Sequence, residues 1–127
     1  MAKSDFLEVN ILNHVLRATS YSSPVGVYLA LYTVAPTDAG GGTEVSGGAY
    51  VRQTITFAAP VGNQVANSAD ILFPIATADW GTLLHFGIFD APSAGNLLYH
   101  TAITPSRTIL TNDQFRVPAG QLIVGES

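Results

Sequence analysis

The residues of this chain whose types could do chemistry are three histidines, nine acidic residues and one glycine-rich loop. His14, His85 and His100 would make a metal site if the fold gathered them. His85 and His100 fall on neighbouring expected strands, where cross-strand side chains meet. No two histidines stand at i, i+2 or i, i+4, and no acidic residue has a ligand-like spacing to them. They read as ordinary half-buried histidines, and neither a metal nor any other cofactor is expected. Asp70, Asp79 and Asp90 stand at strand or turn ends, where aspartate commonly bonds its own backbone. A carboxylate pair for glycoside cleavage needs a separation that only the fold sets. The chain has no Gly-x-Ser-x-Gly elbow and no cysteine, so neither a hydrolase serine nor a thiol nucleophile is legible. The loop at 36–48, PTDAGGGTEVSGG, invites a phosphate-binding reading. That reading fails because no Gly-Lys-Ser/Thr follows and the next segment has a strand pattern rather than a helical one. The loop reads instead as a mobile connection, or an arm that orders against a partner. Trp80, Tyr21, Tyr28, Tyr32, Tyr50 and Tyr99 could stack on sugar rings, which leaves glycan binding open. A core and an interface need the same aromatics. No catalytic residue is expected.

The elements that must position these residues are mostly strands. Asp5–Leu16, DFLEVNILNHVL, is the one helix candidate, with Asp5 placed to cap it and Glu8 completing a capping box. Leu7, Ile11 and Val15 recur at four-residue spacing, widened by Leu12 and Leu16 and interrupted by Glu8. A helix of this length is marginal alone and must dock, on its own sheet or on a neighbouring subunit. Val25–Val34 alternates with apolar residues on both faces, as in a central strand or one lying in an interface. Ala49–Phe57 is the next strand, with Val51, Ile55 and Phe57 inward and Arg52, Thr54 and Thr56 facing solvent. Pro74 inside the run Ile71–Ala76 demotes that strand to an edge or a bulge.

Trp80 is expected to close one end of the core, with its indole N–H on a carbonyl. In Leu83–Phe89, Leu84, Phe86 and Ile88 form one face, and Gly87 marks a bulge or a close backbone approach. Trp80, Phe86 and Ile88 are the expected organisers of the core. Leu97–Ile103 follows, Thr104–Asp113 reads as polar and turn-rich, and Gln114–Val117 and Gln121–Val124 finish the chain. Short strands separated by turn signals predict an all-β fold, an antiparallel β-sandwich or jelly roll, with one short N-terminal α-helix. Residues 1–127 suit a single domain.

Only 11% of residues are charged against a usual ~25%, while 47% are apolar. A chain with so little charge stays soluble most readily by sharing surface with neighbours, so assembly into an oligomer or a particle is expected. The net charge of −4, with no basic cluster, argues against nucleic acid or an anionic membrane as partner. No stretch approaches the ~20 apolar residues of a membrane-spanning helix. Residues 1–5 lack the apolar core of a signal peptide, so synthesis in a cytosol is expected.

The segments SDFLEVNILNHVL, PVGVYLALYTVAPTDAGGGTEVSGGAYVRQ and ADWGTLLHFGIFDAPSAGNLLY together resemble a family of small structural proteins of tailed bacteriophages, often labelled tail-fibre or virion structural proteins. The resemblance runs over nearly the whole chain and brings no catalytic residues. It implies a non-enzymatic virion component, assembled in the cytoplasm of a bacterial host, whose partners are other virion proteins. Because one compact domain without a fibrous repeat makes a poor stand-alone fibre, the reading favoured from sequence is a capsid decoration (cement) subunit. Such a subunit would bridge shell proteins as a homotrimer, with a dimer second. The alternatives are a tail or tail-fibre adaptor protein, a host-glycan-binding module, and a hydrolase of surface polysaccharide. The expected partner contacts are Phe6, Leu7, Ile11 and Val15 on the helix, Tyr28 and Tyr32 on the first long strand, and Thr43, Glu44 and Val45 in the glycine loop.

Overall fold

The computed structural model describes residues 1–126. The chain runs β1 (Ala2–Lys3), α1 (Asp5–Leu16), β2 (Val27–Val34), β3 (Thr43–Glu44), β4 (Gln53–Ile55), β5 (Gln64–Ala66), β6 (Ile71–Leu72), β7 (Gly81–Phe89), β8 (Leu97–Ile109), β9 (Arg116–Val117) and β10 (Ile123–Gly125). Its frame is an antiparallel sheet in the order β1-β8-β7-β2-β3, with β4 also paired to β2. β4 covers Val27–Leu29 and β3 covers Tyr32 and Val34, so the two share one edge of β2. The central place of β2, expected from its two apolar faces, is what the structure has.

The two faces of the sheet are covered differently. On one face Leu29, Leu31, Leu83 and Ile88 pack with Ile71, Phe73, Val117, Leu122 and Val124 into the main core. Those last residues come from or adjoin the two-stranded ribbons β6–β9 and β5–β10. On the other face Ala30, Tyr32, Phe89 and Leu97 form a smaller cluster. The all-β antiparallel sandwich read from sequence therefore holds. Its second layer is a pair of ribbons rather than the continuous sheet of a jelly roll.

Several boundaries differ from the sequence pattern, each for a local reason. Ser4, not Asp5, caps α1: its Oγ accepts the Leu7 N–H at 3.2 Å, and its own N–H is spent on the Leu98 carbonyl at 2.9 Å. β8 continues through the segment read as turns, as far as Ile109. His85 pairs with Ala102 but Leu83 pairs with Arg107, so Ile103–Ser106 bulges out opposite Leu84. The bulge takes Pro105 out of the ladder, where its missing N–H would leave a carbonyl unpaired. The strand expected over Ala49–Phe57 shrinks to Gln53–Ile55 because the chain leaves extended geometry at Ala49, where φ is +69°. Pro74 follows the two-residue strand β6, in keeping with an edge. Trp80 is buried and its indole N–H donates to the Gly48 carbonyl at 2.8 Å, as expected.

The glycine loop is folded against its own sheet rather than left as a free arm. Thr37 and Gly40 exchange backbone hydrogen bonds at 2.8 and 2.9 Å, and the Val45 N–H donates to Leu31 at 2.9 Å. Gly42, at φ +74°, lies so close to β2 that a Cβ there would meet the Val34 carbonyl oxygen at 2.6 Å. Only glycine lets the loop lie down at that point.

Candidate functional site

The start of α1, the glycine loop and the turn between β7 and β8 enclose an open cleft of about 470 Å³ over the smaller cluster. Asp5, Phe6, Tyr32, Asp38, Glu44 and Arg52 are among its walls. Arg52 organises them. Its Nε and Nη2 donate to the two carboxylate oxygens of Glu44, each at 2.9 Å. Its Nη1 donates to the carbonyls of Ala91 and Ala94 at 3.0 and 2.8 Å, and the guanidinium lies 3.7 Å over the Phe89 ring. The side chain is only 7% exposed. One residue thus ties the glycine loop to the turn at 90–97 through charge-assisted and cation–π contacts.

Tyr50 completes the network. Its hydroxyl donates to Glu44 at 2.6 Å and accepts the Leu31 N–H at 3.0 Å. Its ring stacks on Phe73 and meets Trp80 edge-on. Burial, then the carboxylate of Glu44, pushes the Tyr50 phenol well above its usual range. Burial, followed by the charge of Glu44, pushes Tyr32 up to about 12. Every nitrogen of the guanidinium is bonded within the chain, so this arginine serves to hold the cleft in shape rather than to capture an anion.

A second polar group crosses the same face of the sheet. His85 on β7 and His100 on β8 meet Nε2 to Nδ1 at 3.2 Å, and His100 Nε2 lies 2.7 Å from Asp38 Oδ1 in the glycine loop. Burial first, and then the neighbouring His100, lowers the pKa of His85. The adjacency of these two histidines agrees with the strand reading. His14 lies apart, its Nδ1 accepting the Tyr21 N–H at 3.3 Å. The carboxylates of Asp5, Glu8 and Asp38 approach within 4.8 Å of one another, all exposed. Exposed carboxylates gather in this way without an ion.

The other aspartates do the structural work expected of them, though partly at longer range than a local turn. Asp79 Oδ1 accepts the N–H and hydroxyl of Thr111 at 2.8 and 2.9 Å, which lowers its pKa. Asp70 accepts the Ala119 N–H at 2.8 Å. Asp90, accepting the Asn96 N–H at 2.7 Å, closes its own turn, as does Asp113, which accepts the Leu110 N–H at 2.9 Å.

Of the contact residues expected from sequence, the structure brings Phe6, Tyr32 and Glu44 together at the cleft. Leu7, Tyr32 and Val45 are buried in the chain itself, so their apolar surface is already used. Ile11 and Tyr28 are half-buried, Thr43 is exposed, and Val15 is 67% exposed. Trp80 and Ile88 lie in the main core and Phe86 packs against it half-buried. With Trp80 buried, that ring offers no platform to a sugar. The outward surface of α1 is instead Val9, Leu12, Val15 and Leu16, each more than half exposed. The alternation over Ala49–Phe57 put Arg52 in solvent and Val51 inward; instead Arg52 is buried against Phe89 and Glu44, and Val51 is 56% exposed, because the chain there is not extended. The signal that could have found it is compositional: Arg52 is one of only five basic residues in the chain, and it sits eight residues beyond a glutamate across a glycine loop.

A family model described as podophage GP4 fiber I protein gp80 matches residues 2–125. No curated protein matches the chain. The match covers nearly all of the sequence, and the chain belongs to that family, one of phage structural fibre proteins and so of virion components.

Proposed function

We propose that this chain is a non-enzymatic subunit of a podophage tail fibre or of its attachment to the tail, holding neighbouring virion proteins through the outer face of α1. The family description is the observation that carries the fibre reading, and it favours the tail over the capsid-decoration place preferred from sequence alone. The outer face of α1 supports the choice of contact. Val9, Leu12, Val15 and Leu16 expose more than half of their surface on a helix whose only buried residue is Leu7. Such a face is costly to leave in water, and its burial against a neighbour would return roughly 1.5–3 kcal/mol per side chain at full burial. Charge is too sparse to offer an alternative adhesive, since four of the five basic residues sit on β-strands or in the cleft network and three of them, Lys3, Arg52 and Arg116, are already paired with carboxylates.

Quantitative mass spectrometry of purified virions, combined with antibody labelling in the electron microscope, tests the place. A few copies per particle, with label on the tail, is the expected result. A ratio to the shell protein near one to one, with label on the head, would return the molecule to the capsid lattice. Sedimentation of the purified protein reads the oligomer in parallel, a trimer being expected from sequence.

A further inference from the structure

Resting on the role proposed above for α1, we infer that the neighbour it holds is a second copy of this chain. The surface that receives the helix is the cleft at the bulge of β8. Few charges of this molecule lack a partner, and those few sit beside these two surfaces. Lys3, Arg52 and Arg116 are paired with carboxylates, and Arg17 donates to Asn13 Oδ1 at 3.4 Å. Among the described residues, Arg107 is then the one basic side chain with neither an ion pair nor a hydrogen bond. On the acidic side Glu44, Asp70 and Glu126 pair with bases, and Asp38 is bonded to His100. Asp79, Asp90 and Asp113 accept backbone N–H groups. Only the carboxylates of Asp5 and Glu8 are left without a partner among the described residues.

Both surfaces combine apolar area with charge of one sign, and the signs are opposite. On α1, Asp5 stands four residues before Val9, and Glu8 four before Leu12. Residues four apart share a helix face, so the two carboxylates close the N-terminal end of the exposed apolar stripe. On β8, the bulge at Ile103–Ser106 and the neighbouring β9 bound a cleft of about 370 Å³. Phe86, Ile103, Phe115 and Val117 line it with apolar surface, the two phenylalanine rings 6.0 Å apart. Arg107 and Arg116 supply its charge. A cleft of that size admits side chains projecting from a helix rather than the helix itself. Leu12 and Leu16 would enter it while Glu8 meets Arg107. The apolar contact supplies affinity, and the exposed ion pair fixes register and hastens encounter.

One chain cannot satisfy both surfaces by itself. The start of α1 is fastened to the beginning of β8, where the Ser4 N–H donates to the Leu98 carbonyl at 2.9 Å. The cleft opens at Pro105, roughly 20 Å further along the same strand. The helix of one copy therefore meets the cleft of the next, a head-to-tail contact rather than a two-fold one. Such contacts close into a ring where the rotation between copies allows it, which agrees with the trimer expected from sequence.

Sedimentation equilibrium of the full chain at low salt, with charges exchanged between the two surfaces, tests this contact. The wild type is expected to associate. Glu8→Arg and Arg107→Glu should each weaken association by about tenfold, and the variant carrying both reversals should regain most of it. Both side chains are exposed and unpartnered within the described chain, so each variant should keep the urea midpoint of the wild type. Arg107→Gln, which removes the charge without reversing it, replaces a reversal that disturbs the fold, and should weaken association by less. Association that Arg107 variants leave unchanged, or that the double reversal does not regain, would overturn the cleft as the receiving surface. A wild type that stays monomeric at every concentration would overturn the second copy as partner. Neither result bears on α1 as a contact with other virion proteins. That reading fails separately, on normal incorporation into virions of a chain carrying Val15→Asp on the outer face of the helix.

Discussion

Arg52 is where the cleft is held together, and its removal leaves more than a gap. The Arg52→Ala variant strands the Glu44 carboxylate, which is 25% exposed, beside Tyr50 and opens two backbone carbonyls. Breaking a largely buried ion pair from one side should cost about 3 kcal/mol, read as a drop in the urea midpoint. Arg52→Lys keeps the charge but cannot reproduce the paired bonds to Glu44 together with those to Ala91 and Ala94, so it should recover only part of the loss. Gly87 offers a second test of the same face. A Cβ there would lie 2.8 Å from Tyr32 Cε1 and 3.2 Å from both Leu97 Cδ1 and Phe89 Cε1. Gly87→Ala should therefore destabilise by about 1–3 kcal/mol, with near-ultraviolet dichroism shifting as Tyr32 and Phe89 move apart. The close approach at Gly87 was legible from a glycine set between two aromatic residues, His85 and Phe89, on its face of the strand. The role of Arg52 was not, because strand alternation assumes that the chain stays extended, and at Ala49 it does not.

At the scale of elements, the helix separates what stabilises the monomer from what we propose builds the assembly. Leu7 is buried and anchors α1 to the sheet, so Leu7→Ala should cost about 2–5 kcal/mol. Ser4→Ala removes the cap on the Leu7 N–H and should cost about 1 kcal/mol. Val15→Asp, at a site 67% exposed, should change urea stability by no more than about 0.5 kcal/mol yet weaken self-association or incorporation into virions. Normal sedimentation and incorporation of that variant would remove α1 from the interface. The bounds of the helix were readable from its apolar spacing and polar flanks. Which face docks was not, since Leu7, Ile11 and Val15 look equivalent in a periodic pattern. The difference arises because the sheet reaches only the first turns, where Ser4 is bonded to Leu98 and Asp5 to Asp38. The same limit explains β8. Thr104–Asp113 carries turn residues, but a long partner in β7 keeps the strand going, and a bulge at Ile103–Ser106 absorbs the misfit. Tertiary pairing decided there against local composition.

Across the whole molecule the scarcity of charge concentrates polar control in a few long-range bonds, and two tyrosines carry much of it. Tyr50 donates to Glu44 beside the cleft, while Tyr99 on β8 donates to Glu126 at 2.9 Å, tying the frame to the end of the described chain. Burial first, and then the carboxylate each one bonds, holds both phenols above their usual range, and Tyr32 is pushed up to about 12. Each is therefore neutral in the folded state at a pH where it would ionise in the unfolded chain. A raised folded pKa gives stability that is complete below the unfolded value of about 10 and is lost as pH rises above it. The urea midpoint should accordingly be flat from pH 8 to 9.5 and fall steeply by pH 11. Tyr99→Phe separates the two contributions of that residue. It loses the bond to Glu126 and so starts less stable at pH 8, but it has one phenol fewer to ionise and should fall less steeply. A variant that fell as steeply as the wild type would mean that Tyr99 already meets water, and that the junction with Glu126 does not help to close the fold.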